Sequence, residues 1–209
     1  MFPPAPKSVR KADAAHPVIE GCVGWTGDPG SGKTYGAVES AYIAKQLGWL
    51  VATNDREVRF QDHHFRTLEE LSEIVFARRE EDRLLVRPMF VVLDEAHFFA
   101  NSRKWEKLDQ GFFTILQQVR KFGIVLHYTT IDYMQVDVQV RRLTRFVWEC
   151  ERRRSYLLRY LMPPRHEQAV LAEREVLKKV KVKIPADVSL LYDSHNVLRN
   201  LDSPEGGET

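Results

Sequence analysis

Apolar residues fall along this chain in two alternating rhythms, short unbroken runs and longer stretches at helical spacing, and this alternation predicts an α/β protein. Residues 18 to 26 read as a first strand, and residues 33 to 47 as a helix with Ala37, Ala41, Ala44 and Leu47 on one face, stopped by Gly48. Trp49 to Thr53 makes a second strand ending at Asn54-Asp55. Leu68 to Arg79, opened by Thr67 with Glu70 three residues on, has the pattern of a helix started by a capping box. Met89 to Leu93 is a third strand, Trp105 to Lys121 a helix ended by Gly123, and Ile124 to Thr129 a fourth strand followed by Ile131-Asp132. Phe146 to Cys150 and Ser155 to Leu161 form a closing hairpin across the charged turn Glu151 to Arg154. Runs that are apolar throughout, without alternation, belong to a parallel sheet covered on both faces.

The turn after the first strand carries the chemistry. Gly27-Asp28-Pro29-Gly30-Ser31-Gly32-Lys33-Thr34 satisfies the phosphate-binding pattern G-x-x-x-x-G-K-[ST] directly behind an apolar run. Glycines at 27, 30 and 32 let the backbone curl so that several N–H groups converge on a phosphate, and the following helix adds its positive end. Lys33 is placed to reach the β- and γ-phosphates, and Thr34 offers a hydroxyl to Mg²⁺, which prefers one or two protein oxygens beside phosphate.

A second acidic element completes the pattern. Phe90 to Leu93 followed by Asp94-Glu95 is a buried strand ending in two carboxylates, the Walker B arrangement. Asp94 then holds the metal shell, and Glu95 orients and deprotonates the attacking water. ATP and Mg²⁺ are the expected ligands, and the expected fold is a RecA-like P-loop NTPase with a mostly parallel central sheet, flanking helices and a C-terminal hairpin extension.

Composition narrows this further. A chain of 209 residues suits one such domain, here 17–200, between a polar N-terminal arm at 1–16 and a flexible tail at 201–209. Lys and Arg number 31 against 29 acidic residues, so the net charge of +2 excludes a global basic field and any nucleic-acid surface must be local. Cys22 and Cys150 lack metal-ligand spacing and read as small buried residues of a reducing compartment. No apolar stretch is long enough to span a membrane and the proline-rich start lacks a signal-peptide centre, so a soluble protein of the host cytoplasm is expected.

Several ordered segments together resemble the amino-terminal ATPase domain of the zonular occludens toxin (Zot) family, within the FtsK/HerA group of P-loop DNA motors. They are Thr26 to Thr34 with Ala37-Val38; Val51-Ala52-Thr53-Asn54; Val91 to His97; Gln118 to Gly123; Val136-Asp137 leading to Val140-Arg141; and Leu191-Tyr192-Asp193-Ser194. The resemblance implies a homo-oligomeric ring ATPase that moves or extrudes DNA, encoded by a phage, virus or mobile element, with a capsid or virion-assembly protein as a further partner. Family members close the fourth strand with Thr-Gln, the Gln sensing the γ-phosphate. Here the register reads Thr129-Thr130-Ile131, leaving a hydroxyl of Thr129 or Thr130 as the sensor candidate. Filamentous-phage members carry a membrane span after this domain, and the lack of one in this sequence points instead toward viral packaging ATPases.

Arginines supply the remaining expectations. A guanidinium from a neighbouring subunit stabilises the charge that spreads over the transferred phosphoryl group. Arg120, Arg141 and Arg142 are candidates for this finger, with Arg141 preferred by family position. A basic cluster of Arg141, Arg142, Arg145, Arg152, Arg153, Arg154, Arg159 and Arg165 suits phosphate contacts to DNA, with Arg152, Arg153 and Arg154 on the hairpin turn as the DNA-contact candidates. Phe98-Phe99 and Phe112-Phe113 suit base stacking, or the core. Asp94-Glu95-Ala96-His97 spells a DEAH box, but helicases of that type need two tandem domains. A small-molecule kinase using Arg56 and Arg59, and an ATP-binding module that does not hydrolyse, are the alternatives.

Overall fold

A computed structural model describes residues 21–81, 87–99, 110–154, 156–162 and 176–183. Among these, eight strands form a single sheet: β1 Cys22–Thr26, β2 Leu50–Thr53, β3 His63–His64, β4 Met89–Leu93, β5 Ile124–Thr130, β6 Thr144–Arg152, β7 Tyr156–Met162 and β8 Lys178–Lys183. Their order is β3-β2-β4-β5-β1-β6-β7-β8. Pairing is parallel from β3 to β6 and antiparallel from β6 through β7 to β8. This is the expected α/β architecture with its hairpin extension.

The apolar runs explain the centre of the sheet. Every residue of β1, β4 and β5 is buried, as strands covered on both faces must be. Helix α1, Lys33–Gln46, covers one face, where Ala37, Val38, Ala41 and Ala44 pack on Val23, Trp25, Val51, Phe90 and Val92. The other face takes α2, Leu68–Glu81, through Leu71 and Val75, together with α4, Gln110–Gln117, through Phe112, Ile115 and Leu116. Two one-turn helices, α3 Ala96–Phe99 and α5 Val119–Phe122, link these layers. A 3-10 turn, Tyr133–Gln135, and the short helix α6, Val138–Leu143, lead into β6.

Some expected boundaries move, for local reasons. The helix expected over 105–121 is divided at Gln118, whose N–H is shared by the carbonyls of Thr114 and Ile115 at 3.2 and 3.1 Å; residues 105–109 lie outside the described residues. At the start of α2 the Glu70 N–H bonds Thr67 Oγ1 at 3.2 Å as expected, but the Glu70 carboxylate accepts from the Arg66 N–H at 2.6 Å instead of from Thr67. Strand β3, helix α6 and strand β8 were not expected. Two residues leave no periodicity to read in β3, and Val138–Leu143 is too short to show a helical stripe. In β8 Val180 and Val182 pack against the core between the exposed Lys179, Lys181 and Lys183, so a half-buried strand reads as a charge run. The expected arm 1–16, tail 201–209, strand start 18–20 and segment Leu191 to Ser194 also lie outside the described residues.

Both cysteines are buried, and burial pushes their thiols up, Cys22 to about 12 and Cys150 to about 11, so neither is a reactive thiolate at neutral pH. The hairpin is anchored by Arg159 on β7. Its Nη1 meets Glu39 Oε2 of α1 at 2.6 Å with both side chains almost wholly buried, and its guanidinium lies 5.5 Å over the Trp25 ring and 5.3 Å over Tyr35. Trp25 in turn stacks on Trp148 at 5.5 Å and donates from Nε1 to His127 Nδ1 at 3.1 Å. Arg159 is thus a core strut, and the DNA-facing cluster expected from the sequence loses this member.

Removing one partner of such a pair strands the other charge in the core. Arg159→Leu is expected to lower unfolding free energy by about 3–5 kcal/mol in chemical denaturation, with the Glu39→Leu/Arg159→Leu double variant regaining a large part of the loss. A cost for Arg159→Leu no greater than that of a surface arginine would contradict the strut.

Candidate active site

The phosphate loop is shaped by what its glycines must avoid. Gly32, the residue before α1, has φ of 88°, and a Cβ there would lie 2.6 Å from Leu157 Cδ1. Gly27 has φ of 136°, and a Cβ there would come within 2.3 Å of the Cys150 carbonyl oxygen on β6. Only glycine allows this turn and this approach together. The loop is closed by Ser31 N–H to the Asp28 carbonyl at 3.1 Å. Lys33 folds back over it, donating from Nζ to the carbonyls of Gly27 at 2.8 Å and Asp28 at 3.0 Å. Half-burial lowers the Lys33 pKa, while Cys150, Asp94, Glu95 and Asp28 pull it the other way.

Asp94 stands at the end of β4 and collects the neighbouring strands. Its Oδ1 accepts from Thr34 Oγ1 at 2.8 Å and from Thr129 Oγ1 at 2.6 Å. Its backbone is clamped by Asn54 at the end of β2, which accepts from the Asp94 N–H at 2.7 Å and donates to the Asp94 carbonyl at 3.0 Å. The next residue, Glu95, has φ of 50°, a left-handed conformation uncommon outside glycine, and its N–H is held by Thr129 Oγ1 at 2.8 Å. That strained step exposes Glu95 at the pocket while Asp94 turns toward Thr34.

These groups share one cavity of about 650 Å³. It is lined by the loop from Pro29 to Thr34 except Ser31, by Asn54, Asp55 and Glu57 after β2, by Asp94, Glu95 and the His97–Phe99 part of α3, and by Thr129 to Ile131. The donor set suits Mg²⁺: hydroxyl and carboxylate oxygens are hard ligands. Thr34 Oγ1 donates to Asp94 Oδ1 at 2.8 Å, so the two oxygens that would hold the ion stand side by side.

The other expected residues are distributed as follows. Thr129 is in the site, whereas the Thr130 hydroxyl, at the cavity wall, donates to the Asp132 carbonyl at 3.0 Å. Arg141 is turned inward, its Nε on the Val136 carbonyl at 3.0 Å, with 8% of its surface exposed. It steadies the start of α6 beside the Asp137 cap, whose Oδ1 accepts from the Gln139 N–H at 2.7 Å. Its neighbour Arg142 is exposed. Arg120 falls on α5, and its side chain lies outside the described residues. Arg153 pairs with Glu151 at 2.5 Å, Arg154 is exposed on the turn, and Arg152 reaches the cavity. Phe112 is core; Phe98 is 71% exposed at the cavity mouth.

In the sequence Asn54 figures as the end of the second strand and within the resemblance, and Asp55 has no role beyond ending that strand. A polar residue closing the apolar strand β2, the neighbour of the strand that ends in Asp94, is the available signal. Burial, with a smaller push from Asp94, raises Asp55 to about 6 although its Oδ1 accepts from the Glu57 N–H at 2.9 Å. A carboxyl raised in the fold costs stability above its unfolded value near 3.9, increasingly as pH rises through 6. Asp55→Asn, which keeps the acceptor, is therefore expected to raise the melting temperature of the metal- and nucleotide-free protein at pH 8 and to raise it less at pH 5. An equal gain at both values would contradict the shift.

Comparison with known proteins agrees with this geometry. A model of the family "Zonular occludens toxin (Zot)" matches residues 23–197. The N-terminal domain of zonular occludens toxin from Neisseria meningitidis is similar in structure, with a TM-score of 0.59 and 17% identity over 84% of this chain and 100% of that one. The genome packaging NTPase B204 from Sulfolobus turreted icosahedral virus 2, in complex with AMPPCP, has a TM-score of 0.53 and 13% identity over 68% and 91%. A further solved ATPase domain has a TM-score of 0.55 and 8% identity over 88% of this chain and 89% of its own. No curated protein matches in sequence. The sheet and the phosphate loop with its Asp94-Glu95 partner are those of a P-loop ATPase, and the match across residues 23–197 makes the chain a member of the zonular occludens toxin (Zot) family.

Proposed function

We propose that the chain is a Mg²⁺-dependent ATPase that converts hydrolysis into movement of DNA during packaging or assembly of a viral or phage genome. The observation that carries this reading is the junction of Thr34, Asp94 and Thr129, with Glu95 beside it, at the mouth of the phosphate loop. The similarity in fold to a genome packaging NTPase supports the choice of task.

In this reading the loop amides and Lys33 hold the β- and γ-phosphates, Lys33 leaving the Gly27 and Asp28 carbonyls to do so. Thr34 and Asp94 hold Mg²⁺, which neutralises phosphate charge when bound. Glu95 takes a proton from the attacking water at its carboxylate. Its backbone is fixed by Thr129, so this hydroxyl takes over the link between the phosphate end of the site and the base that a glutamine makes in other members. A neighbouring copy in a ring supplies a cation across the subunit boundary. The exposure of Arg142, against the internal bond of Arg141, favours Arg142 for that role.

Steady-state ATP hydrolysis by the purified chain, with and without double-stranded DNA, tests this. Turnover is expected to rise several-fold with DNA, to stop on chelation of Mg²⁺ and to vanish in Lys33→Ala. Glu95→Gln should still bind ATP but turn over at least about 100-fold more slowly, the usual contribution of a positioned base. Unchanged turnover in Glu95→Gln would remove its role, and turnover indifferent to DNA would favour a small-molecule kinase.

A further inference from the structure

The β6–β7 hairpin is seated directly on the phosphate loop. The Cys150 carbonyl closes on Gly27, and Leu157 Cδ1 on Gly32. Between them, Arg152 Nη1 lies 3.7 Å from the position a Cβ would take on Gly30. Arg152 is two residues beyond Cys150 on the same strand and stands directly opposite Leu157 in the ladder, so all three project to the loop side. Main-chain register therefore places Arg152 over Gly30, where an arginine on a wandering turn would have no fixed neighbour.

The guanidinium is also uncommitted among the described residues. Arg152 is exposed, and Glu151, the acid next to it, is paired with Arg153. Together with Pro29, Gly30, Lys33 and Thr34, Arg152 walls the cavity where the phosphates of a nucleotide would lie. A planar fork of N–H donors beside a nest of backbone amides suits a polyphosphate.

From this placement we infer that Arg152 is a nucleotide-binding residue of its own subunit, taking the β,γ-phosphate portion of a nucleoside triphosphate from the hairpin side of the loop, and is not a DNA contact. The inference deepens the ATPase reading and rests on it. It also separates the three arginines of the turn: Arg152 serves the nucleotide, Arg153 is tied to Glu151, and Arg154 is left to the surface.

Fluorescent ATP and AMP titrated into the full chain test it. Arg152→Ala is expected to weaken ATP by about tenfold to a hundredfold, the worth of a charge-assisted hydrogen bond, and to leave AMP nearly unchanged. Arg152→Lys should fall between, and Arg153→Ala and Arg154→Ala should match wild type. A merely structural role would weaken ATP and AMP alike, so an unchanged ATP-to-AMP ratio would overturn the inference. So would unaltered ATP affinity alongside weakened DNA binding, or recovery of hydrolysis on mixing Arg152→Ala with Lys33→Ala subunits, which would make the arginine act across subunits. Wild-type chain that binds no ATP overturns the underlying reading as well, whereas loss of ATP binding in Lys33→Ala with none in Arg152→Ala overturns this inference alone.

Discussion

One carboxylate oxygen organises the molecule's working edge. Asp94 Oδ1 receives hydroxyls from Thr34 and Thr129, and the Asp94 peptide is held from the other side by Asn54. Asp94 and Asn54 follow β4 and β2, Thr129 is the penultimate residue of β5, and Thr34 lies in the first turn of α1 behind β1 and its loop, so the node fixes the carboxyl ends of adjacent strands relative to one another. A hydrogen bond to a charged group contributes about 1.5–3 kcal/mol, and two converge on this oxygen. The same atoms form the candidate metal site, so the part of the sheet that is most tightly tied is also the part with chemistry to perform.

The far side of the loop is fixed by packing. The phosphate loop cannot open outward without displacing Leu157 and the Cys150 carbonyl, and the hairpin that carries them is held to α1 through Arg159 and Glu39. Loop, first helix and hairpin therefore behave as one block. A nucleotide that draws Lys33 off the Gly27 and Asp28 carbonyls acts on a loop already braced from behind.

Much of this was legible in the chain and some was not, for identifiable reasons. Gly27 to Thr34 and Asp94-Glu95 are contiguous motifs behind apolar runs, so their meeting at one cavity could be read directly. The cluster of arginines could not, because each has the same chemistry and only the fold separates them. Tertiary pairing buries Arg159 against Glu39, 120 positions away, and helix α6 turns Arg141 inward to Val136 while leaving Arg142 outside. Arg152 is distinguished from Arg153 because it is the last residue of β6, on the face of Cys150 and opposite Leu157, whereas Arg153 begins the turn and pairs with Glu151. The alternation in β8 was present in the sequence, but lysine at every second position disguised the apolar face formed by Val180 and Val182.

The Arg159–Glu39 contact also bears on the order in which the chain acquires its structure. Contacts so distant along the chain carry a large loop-closure cost until the segments between have collapsed, and they form slowly. Glu39 is made early in synthesis and sits on the helix behind the phosphate loop, yet its counter-charge arrives more than a hundred residues later. Until then the Glu39 carboxylate has the Tyr35 hydroxyl at 3.4 Å but no cation to offset its charge, which weighs against burying that face of the first helix. Final seating of the helix behind the phosphate loop is thereby tied to completion of the hairpin, whose Cys150 carbonyl and Leu157 also brace that loop.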